Sequence, residues 1–439
     1  MRDALRWIGR AILVLIVFVV VVFAAYRIRG PSADQRAALD LLHQDRRPDH
    51  GRNAFPLFWF MQYDIPDGDF DVRMAADVAE VSKRLAAGGE ALQFEPSAAK
   101  LPQPNYDDPS LCQSRENDCL RRVSANPEAT RLMLKSYARL LLRAQSVEHF
   151  DFLWNEFPED FRAPTGIYPQ IAQSFWLSSL ALEFADGDHA GALDGVCRNA
   201  GTWRRLRGAT NFFVGDTVSI ADTGRAIRLF AEMLAASPSN ETIPPSCTDA
   251  FRPVEAADVD RCAELSSGFA ISENMTREIS SMKQSSLERM FSWFIFDPQQ
   301  TDAWRAEQLT LYCGEAASHR LLADKPIAPD AVPHPLWRLE CIANFSGCVL
   351  AEIASPAYIG YDNRILDYAA HLRLAATLVW LRESPNAPAA SLKERFEQRP
   401  TNLRSAGHVS GFDSEHHVLF VDSLNQVRAQ RFELRLSAE

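Results

Sequence analysis

Acids at every second position, in Asp67-Gly68-Asp69-Phe70-Asp71, have the residue types and spacing with which a loop begins to wrap a calcium ion. The rest of such a loop is absent, because Val72 stands where glycine should make the sharp turn and Val78 where a bidentate glutamate should close the shell. The expected role is capping: Asp69 or Asp71 accepts from the free N–H groups of the next helix, at the positive end of its dipole. Two S-x-x-K spacings, Ser97-Ala98-Ala99-Lys100 and Ser280-Ser281-Met282-Lys283, place a lysine one helical turn from a serine nucleophile. Neither S-D-N nor K-T-G follows them, and Gly407-His408-Val409-Ser410-Gly411 has the wrong spacing for a nucleophile elbow. The sequence lacks H-E-x-x-H and C-x-x-C, so a helical zinc protease, a zinc ribbon and a thioredoxin-like centre have no support.

The remaining polar constellations carry less. His416 and His417 are adjacent and would face opposite sides of a strand, which is unsuited to shared ligation. Asp367 and His371 are one helical turn apart and would make either an oriented base or, more commonly, a surface ion pair. Asp186, Asp188 and His189 read as an interhelix turn with a cap. Tyr358, Tyr361 and Arg364, in Pro356-Ala357-Tyr358-Ile359-Gly360-Tyr361-Asp362-Asn363-Arg364, form the candidate recognition surface, since aromatic and arginine side chains dominate binding hot spots. Their plainer reading is packing at the start of a helix. No residue is assigned to catalysis, to a metal or to a cofactor.

The elements that hold these residues begin with Ala11 to Tyr26, an uncharged run extended upstream by Trp7 and Ile8. A helix of about 16 to 20 residues reaches roughly 24 to 30 Å, enough for a bilayer's hydrocarbon core. Arg2, Arg6 and Arg10 precede it, as in a signal-anchor whose N-terminus stays inside. A cleaved signal peptide is the rival, because small residues at Ala24 and Ala25 would suit a peptidase. Both readings export the rest of the chain. The expected division is a cytoplasmic N-terminus (1–10), a transmembrane signal-anchor (11–30), a first helical layer (31–249) and a second (250–439). The last two also read as one continuous domain.

Eight cysteines, all beyond the anchor, suit an oxidising compartment. Sequence proximity couples Cys112 with Cys119, Cys247 with Cys262 and Cys341 with Cys348, leaving Cys197 with Cys313. The fold class is mainly α. Helices are expected over 33–45, from Asp71 to the Gly88-Gly89 stop, from Pro127 to Ser146 and on both sides of Asp186-Gly187-Asp188. Others are expected over about 255–280 and 301–320, and from Asp362 to Glu383. The pair around Asp186 resembles a tetratricopeptide-like helical hairpin, without a second copy at a fixed period. Ile220, Gly224, Ile227, Ala231 and Leu234 form one buried stripe. The aromatic run Phe55 to Tyr63 is interior, and membrane contact is the lesser alternative. His417 to Val421 and Arg431 to Leu436 alternate as a small C-terminal β-hairpin.

Charge excludes one class of partner. The net charge of -11 offers no basic stripe for phosphates, so nucleic acid is not expected. The abundance of arginine over lysine is the bias of a GC-rich, bacterial genome. Together these point to a single-pass inner-membrane protein with a disulfide-supported periplasmic domain. Its partners would be the bilayer, through the N-terminal helix, and another envelope protein, as an immunity or accessory factor would have. A periplasmic hydrolase with a site assembled from distant residues and a structural spacer are the alternatives. Two convergent carboxylates of perturbed acidity would favour the enzyme; a smooth concave helical surface would favour the binder.

Overall fold

A computed structural model describes residues 2–105, 108–112, 118–165, 171–238, 241–281, 295–328, 341, 343–384, 391–424 and 431–436. The chain opens with α1, Arg2–Arg29, in which the window Arg6–Ala25 has a mean hydropathy of 2.9 and is not buried against the rest of the protein. Every side chain from Ile12 to Val21 is exposed. A helix this apolar with no packed face has the length and composition to cross a bilayer. After Gly30 turns the chain with φ +63°, Ser32 starts α2, Ala33–Leu42. The Gln35 amide donates to the Ser32 hydroxyl (3.2 Å) and the Ser32 amide to the Gln35 side chain (2.9 Å), a reciprocal cap.

The aromatic run forms α3, Phe55–Phe60, with all six residues buried. Phe58 stacks on Trp203 at 5.9 Å and Trp59 meets Phe157 edge-on at 4.7 Å. Each such ring contributes roughly 1.5 to 3 kcal/mol on burial. The acids behind the run act differently from the expected cap. Asp67–Asp69 is a 3-10 turn leading into α4, Phe70–Ala86, and Asp69 flanks that helix without a side-chain bond to it. Asp67 instead accepts from Arg143 at 2.8 Å. The 3-10 turn already bonds the Asp69 amide to the Pro66 carbonyl and the Phe70 amide to that of Asp67.

Helices then follow in sequence order. They are α5 (Cys119–Ala125), α6 (Pro127–Ser136), α7 (Ala138–Ser146), α8 (Ile171–Ala185), α9 (His189–Gly208), α10 (Phe213–Ala236) and α11 (Pro245–Ala250). The single helix expected over 127–146 breaks at Tyr137, whose ring packs against Phe175 at 5.5 Å. Asp188 caps α9 by accepting from the Gly191 amide at 3.0 Å. Gly195 lets α8 and α9 close together, because a Cβ there would lie 2.3 Å from Leu180. The predicted stripe on α10 is buried at Gly224, Ile227, Ala231 and Leu234, but burial extends right round the helix, which lies between α9, the C-terminal sheet and the long helix below.

The second half comprises α12 (Cys262–Ser281), α13 (Pro298–Leu309), α14 (Glu315–Leu322), α15 (Phe345–Glu383) and α16 (Leu392–Glu397). The segment expected as one helix over 301–320 divides at Gly314, which adopts φ +97°. The helix expected from Asp362 starts instead at Phe345, so it runs through Pro356. Packing of Tyr358 and Ile359 against Leu265, Phe269 and Tyr312 holds that first half in helical form despite its proline and glycines. Beyond it, Ile365, Ala369, Leu372, Ala376 and Val379 are all buried, as their spacing predicts. Gly166 and Ile167, residues 329–340, Lys283 and Pro385 lie outside the described residues.

The C-terminus is a three-stranded antiparallel sheet, β1 (Ser410–Asp413), β2 (Val418–Asp422) and β3 (Arg431–Arg435), in order β1-β2-β3. The expected hairpin is β2 with β3, in register Leu419 to Leu434 and Val421 to Phe432. Strand β1 carries glycine and lacks a β-branched run, so pattern alone does not reveal it. His416 and His417 fall in the turn between β1 and β2, not on a strand, and His416 binds Asp413 at 3.0 Å.

Four cysteine pairs lie at disulfide distance. Cys112–Cys119 and Cys341–Cys348 are those expected. The other two differ from the reading by proximity: Cys197 joins Cys247, not Cys313, and Cys262 joins Cys313, not Cys247. Each staples neighbouring elements, α11 to α9 and the start of α12 to the turn between α13 and α14, where spatial contact overrides sequence distance.

Candidate functional site

The segment 154–165, the start of α10 and the face of α12 enclose a cavity of about 130 Å³. Its position follows from a set of asparagines. Asn53 accepts from the Trp154 amide (2.8 Å), Asn211 from the Asn155 amide (2.7 Å) and Asn155 from the Phe157 amide (3.0 Å). These bonds fix the loop against the aromatic core. Gly268 completes the closure, since a Cβ there would come within 3.0 Å of the Phe213 ring.

Phe157, Phe212 and Phe213 form the apolar walls and Glu159, Asp160 and Glu264 the acidic ones; among the described residues no lysine or arginine lines the cavity. The three acids differ in electrostatic state. Arg162 clamps Asp160 with two bonds, 3.0 and 2.8 Å, and holds its carboxyl below the usual range. Glu159, open to solvent on one side, is raised by the desolvation of the other, against a bond from Ser267. Glu264 is 1% exposed. One of its oxygens accepts from Arg261 at 2.6 Å, and the other has no hydrogen-bond partner among the described residues. Burial raises it to about 7, with nearby Asp216 adding to the rise while Arg261 and Arg207 oppose it.

Behind Glu264 stands a balanced set of buried charges. Arg207 donates to Asp216 at 2.8 Å, and Arg204 makes a bidentate pair with Asp258 at 2.7 and 2.5 Å. Arg204 also donates to the carbonyls of Ala250 and Arg252. No sequence motif marks these residues. The available signal was the spacing of Arg204 and Arg207, one helical turn apart on the buried side of α9 beside Trp203.

A wider depression, about 700 Å³, runs along α9 over Gly201 and Gly208. Its basic residues are already committed: Arg198 pairs with Glu148, Arg205 donates to the Phe150 carbonyl and Arg252 pairs with Asp258. It therefore offers shape with little unmet polar demand.

The candidate recognition residues lie in the middle of α15, not at its start. Tyr361 packs on Phe213 at 5.0 Å and Tyr358 on Tyr312 at 5.8 Å, both half-buried, while the exposed Arg364 covers the Tyr361 ring at 4.9 Å. They thus support the back of Phe213, whose other contacts form the cavity wall. Asp367 and His371 make neither an oriented base nor a surface pair. His371 stacks on Phe432 at 3.8 Å, and burial lowers it to about 3. Asp367 accepts from His408 at 3.0 Å and from the Leu424 amide at 2.8 Å. Lys100 pairs with Glu95 at 3.1 Å, and the Ser280 hydroxyl donates to the Thr276 carbonyl. Among the described residues no group of histidine, cysteine and acidic side chains is arranged to hold a metal ion.

Compared with family models, with curated proteins and with solved structures, the chain matches none of them.

Proposed function

We propose that the chain is a single-pass inner-membrane protein whose periplasmic helical domain binds an amine-bearing group, from a small molecule or an envelope protein, in the Glu264 cavity. The observation that carries this reading is the unpartnered oxygen of Glu264, an almost wholly buried residue that lines a small space walled by aromatic rings. A buried carboxylate oxygen without a partner is costly, and an ammonium group would satisfy it while its carbon chain packs on the phenylalanines. The exposed apolar α1 supports the anchor, and the four cysteine pairs suit an oxidising compartment.

Titration calorimetry on the full chain in detergent micelles tests this, with n-butylamine, putrescine and lysine as probes and n-butanol as the neutral control. The amines are expected to bind and butanol not to. Binding is expected to strengthen as pH rises through about 7, where Glu264 loses its proton. Glu264→Gln, checked for an intact melting transition, is expected to weaken amine binding roughly 10-fold or more, the loss of a charge-assisted bond. Equal binding by the variant, or by butanol, overturns the proposal.

One observation favours the hydrolase as a second reading. Asp160 is held low and Glu264 is raised within the same cavity, and an acid and a base are separated in this manner in active sites. Under that reading a probe would be converted, and Glu264→Gln would abolish turnover.

A further inference from the structure

The base of α1 is built into the folded domain. Arg27 pairs with Asp297 at 2.7 Å and donates to the Phe296 carbonyl at 2.9 Å. The Asp297 amide in turn donates to the Asn344 side chain at 2.8 Å, and Asn344 also bonds Thr301. These bonds hold 295–297 and the first turn of α15 against the point where α1 ends. Arg27 stands two residues past the apolar window, about 3 Å of helix rise, which is the depth of the interfacial layer if α1 spans.

Three large apolar side chains are exposed around this junction. Ile295 adjoins Phe296 and is 46% exposed; Phe345 adjoins Asn344 and is 58% exposed; Ile353 is 72% exposed. Phe345 and Ile353 are eight positions apart on α15, so with the half-buried Val349 between them they form a stripe at every fourth residue. The pairing of Arg27 with Asp297 neutralises the charge nearest to Ile295. Val72 on α4 and Leu132 on α6 are exposed apolar residues far from this junction in sequence.

We infer that Ile295, Phe345 and Ile353 form a second membrane contact, which dips into the outer-leaflet interface of the bilayer that α1 crosses. The occupant is lipid because the stripe is continuous with the exit of the spanning helix and is fixed there by named bonds. Aromatic and aliphatic side chains gain free energy at this depth, where headgroups meet acyl chains. The domain would then lie flat on the membrane, held at two points. The sequence leading to Ile295, Met290-Phe291-Ser292-Trp293-Phe294, has similar composition, but it lies outside the described residues and forms no part of the proposed surface. The inference rests on the anchored reading of α1.

The test uses the full chain reconstituted in phosphatidylcholine vesicles containing phosphatidylglycerol. Benzoylphenylalanine is placed at Ile295, Phe345 or Ile353, and as controls at Val72 on α4 and Leu132 on α6. After irradiation, mass spectrometry is expected to find lipid adducts at the three junction positions in several-fold excess over the controls. Adducts at control levels on a chain that floats with the vesicles overturn the second contact while leaving the anchor intact. Adducts to another copy of the chain in place of lipid overturn it as well. A chain that fails to float overturns the anchored reading first, and the contact with it.

Discussion

Replacing His408 with alanine is expected to destabilise the fold by about 3 to 5 kcal/mol, the range for removing one partner from a buried ion pair. The ring is fully buried, with Nδ1 bonded to Asp324 at 2.8 Å and Nε2 to Asp367 at 3.0 Å. Asp324 lies just past α14 and Asp367 on α15, while His408 directly precedes β1. One imidazolium therefore ties the C-terminal sheet to two helices. Its two carboxylates raise it to about 9, against the desolvation that burial imposes. A shift of that size is worth about 3 kcal/mol. Because the folded value lies above the unfolded one, the contribution is complete below about pH 6.5 and is lost as pH rises through about 9. Asp324 and Asp367, both held low, act in the opposite sense: their contribution is present above the ordinary carboxylate range and is lost in acid. Denaturant melts of wild type and His408→Gln between about pH 6 and about pH 10 check the sign. The wild type should lose stability over this range and the variant should lose much less. A variant as stable as wild type at neutral pH would refute the tie.

The second large effect is expected at Arg143. Its guanidinium is wholly buried and donates to the carbonyls of Phe60, Met61, Tyr63 and Ile65 and to the carboxylate of Asp67. The aromatic run leaves its helix at Phe60, and the carbonyls beyond it turn toward Arg143: those of Phe60 and Tyr63 also accept from the Tyr63 and Ile65 amides at 2.9 Å, and that of Ile65 from Arg139, while Arg143 serves the Met61 carbonyl. Arg143→Ala strands the Met61 carbonyl at about 1 to 3 kcal/mol, removes a second, charge-assisted bond from each of the other three, and leaves a large buried side chain's space unfilled. A net loss of about 3 to 5 kcal/mol is expected, with increased hydrogen exchange across 60–67. Arg143→Lys should recover only part, because an ammonium has three donors and no planar fork. Protection of 60–67 unchanged in the alanine variant would show that the segment holds itself.

What the sequence makes legible follows from how local each signal is. Helix ends with their own punctuation are readable: Gly88 and Gly187 adopt positive φ, and Asp188 caps its own helix. The interior character of Phe55 to Tyr63 is readable from composition alone. Cys197–Cys247 is not, because α11 reaches α9 only through packing. The Glu264 cavity draws on 154–165, 211–214 and 264–271, and no spacing rule links segments so far apart. His408 sits in a sequence whose only apparent feature is a failed nucleophile motif; its partners come from two other elements. The first half of α15 shows the converse, a segment whose local signals oppose the helix that tertiary contacts impose.

In the proposed function, α1 delivers a disulfide-supported domain outside the cytosol while holding it at the membrane. Blocking free thiols with an alkylating agent in intact bacterial membranes carrying the full chain, then weighing the chain with and without reduction, tests it most directly. The predicted result is a chain in the membrane fraction whose eight cysteines take up label only after reduction. A chain whose cysteines are all labelled without reduction, or one found in the soluble cytosolic fraction, contradicts it.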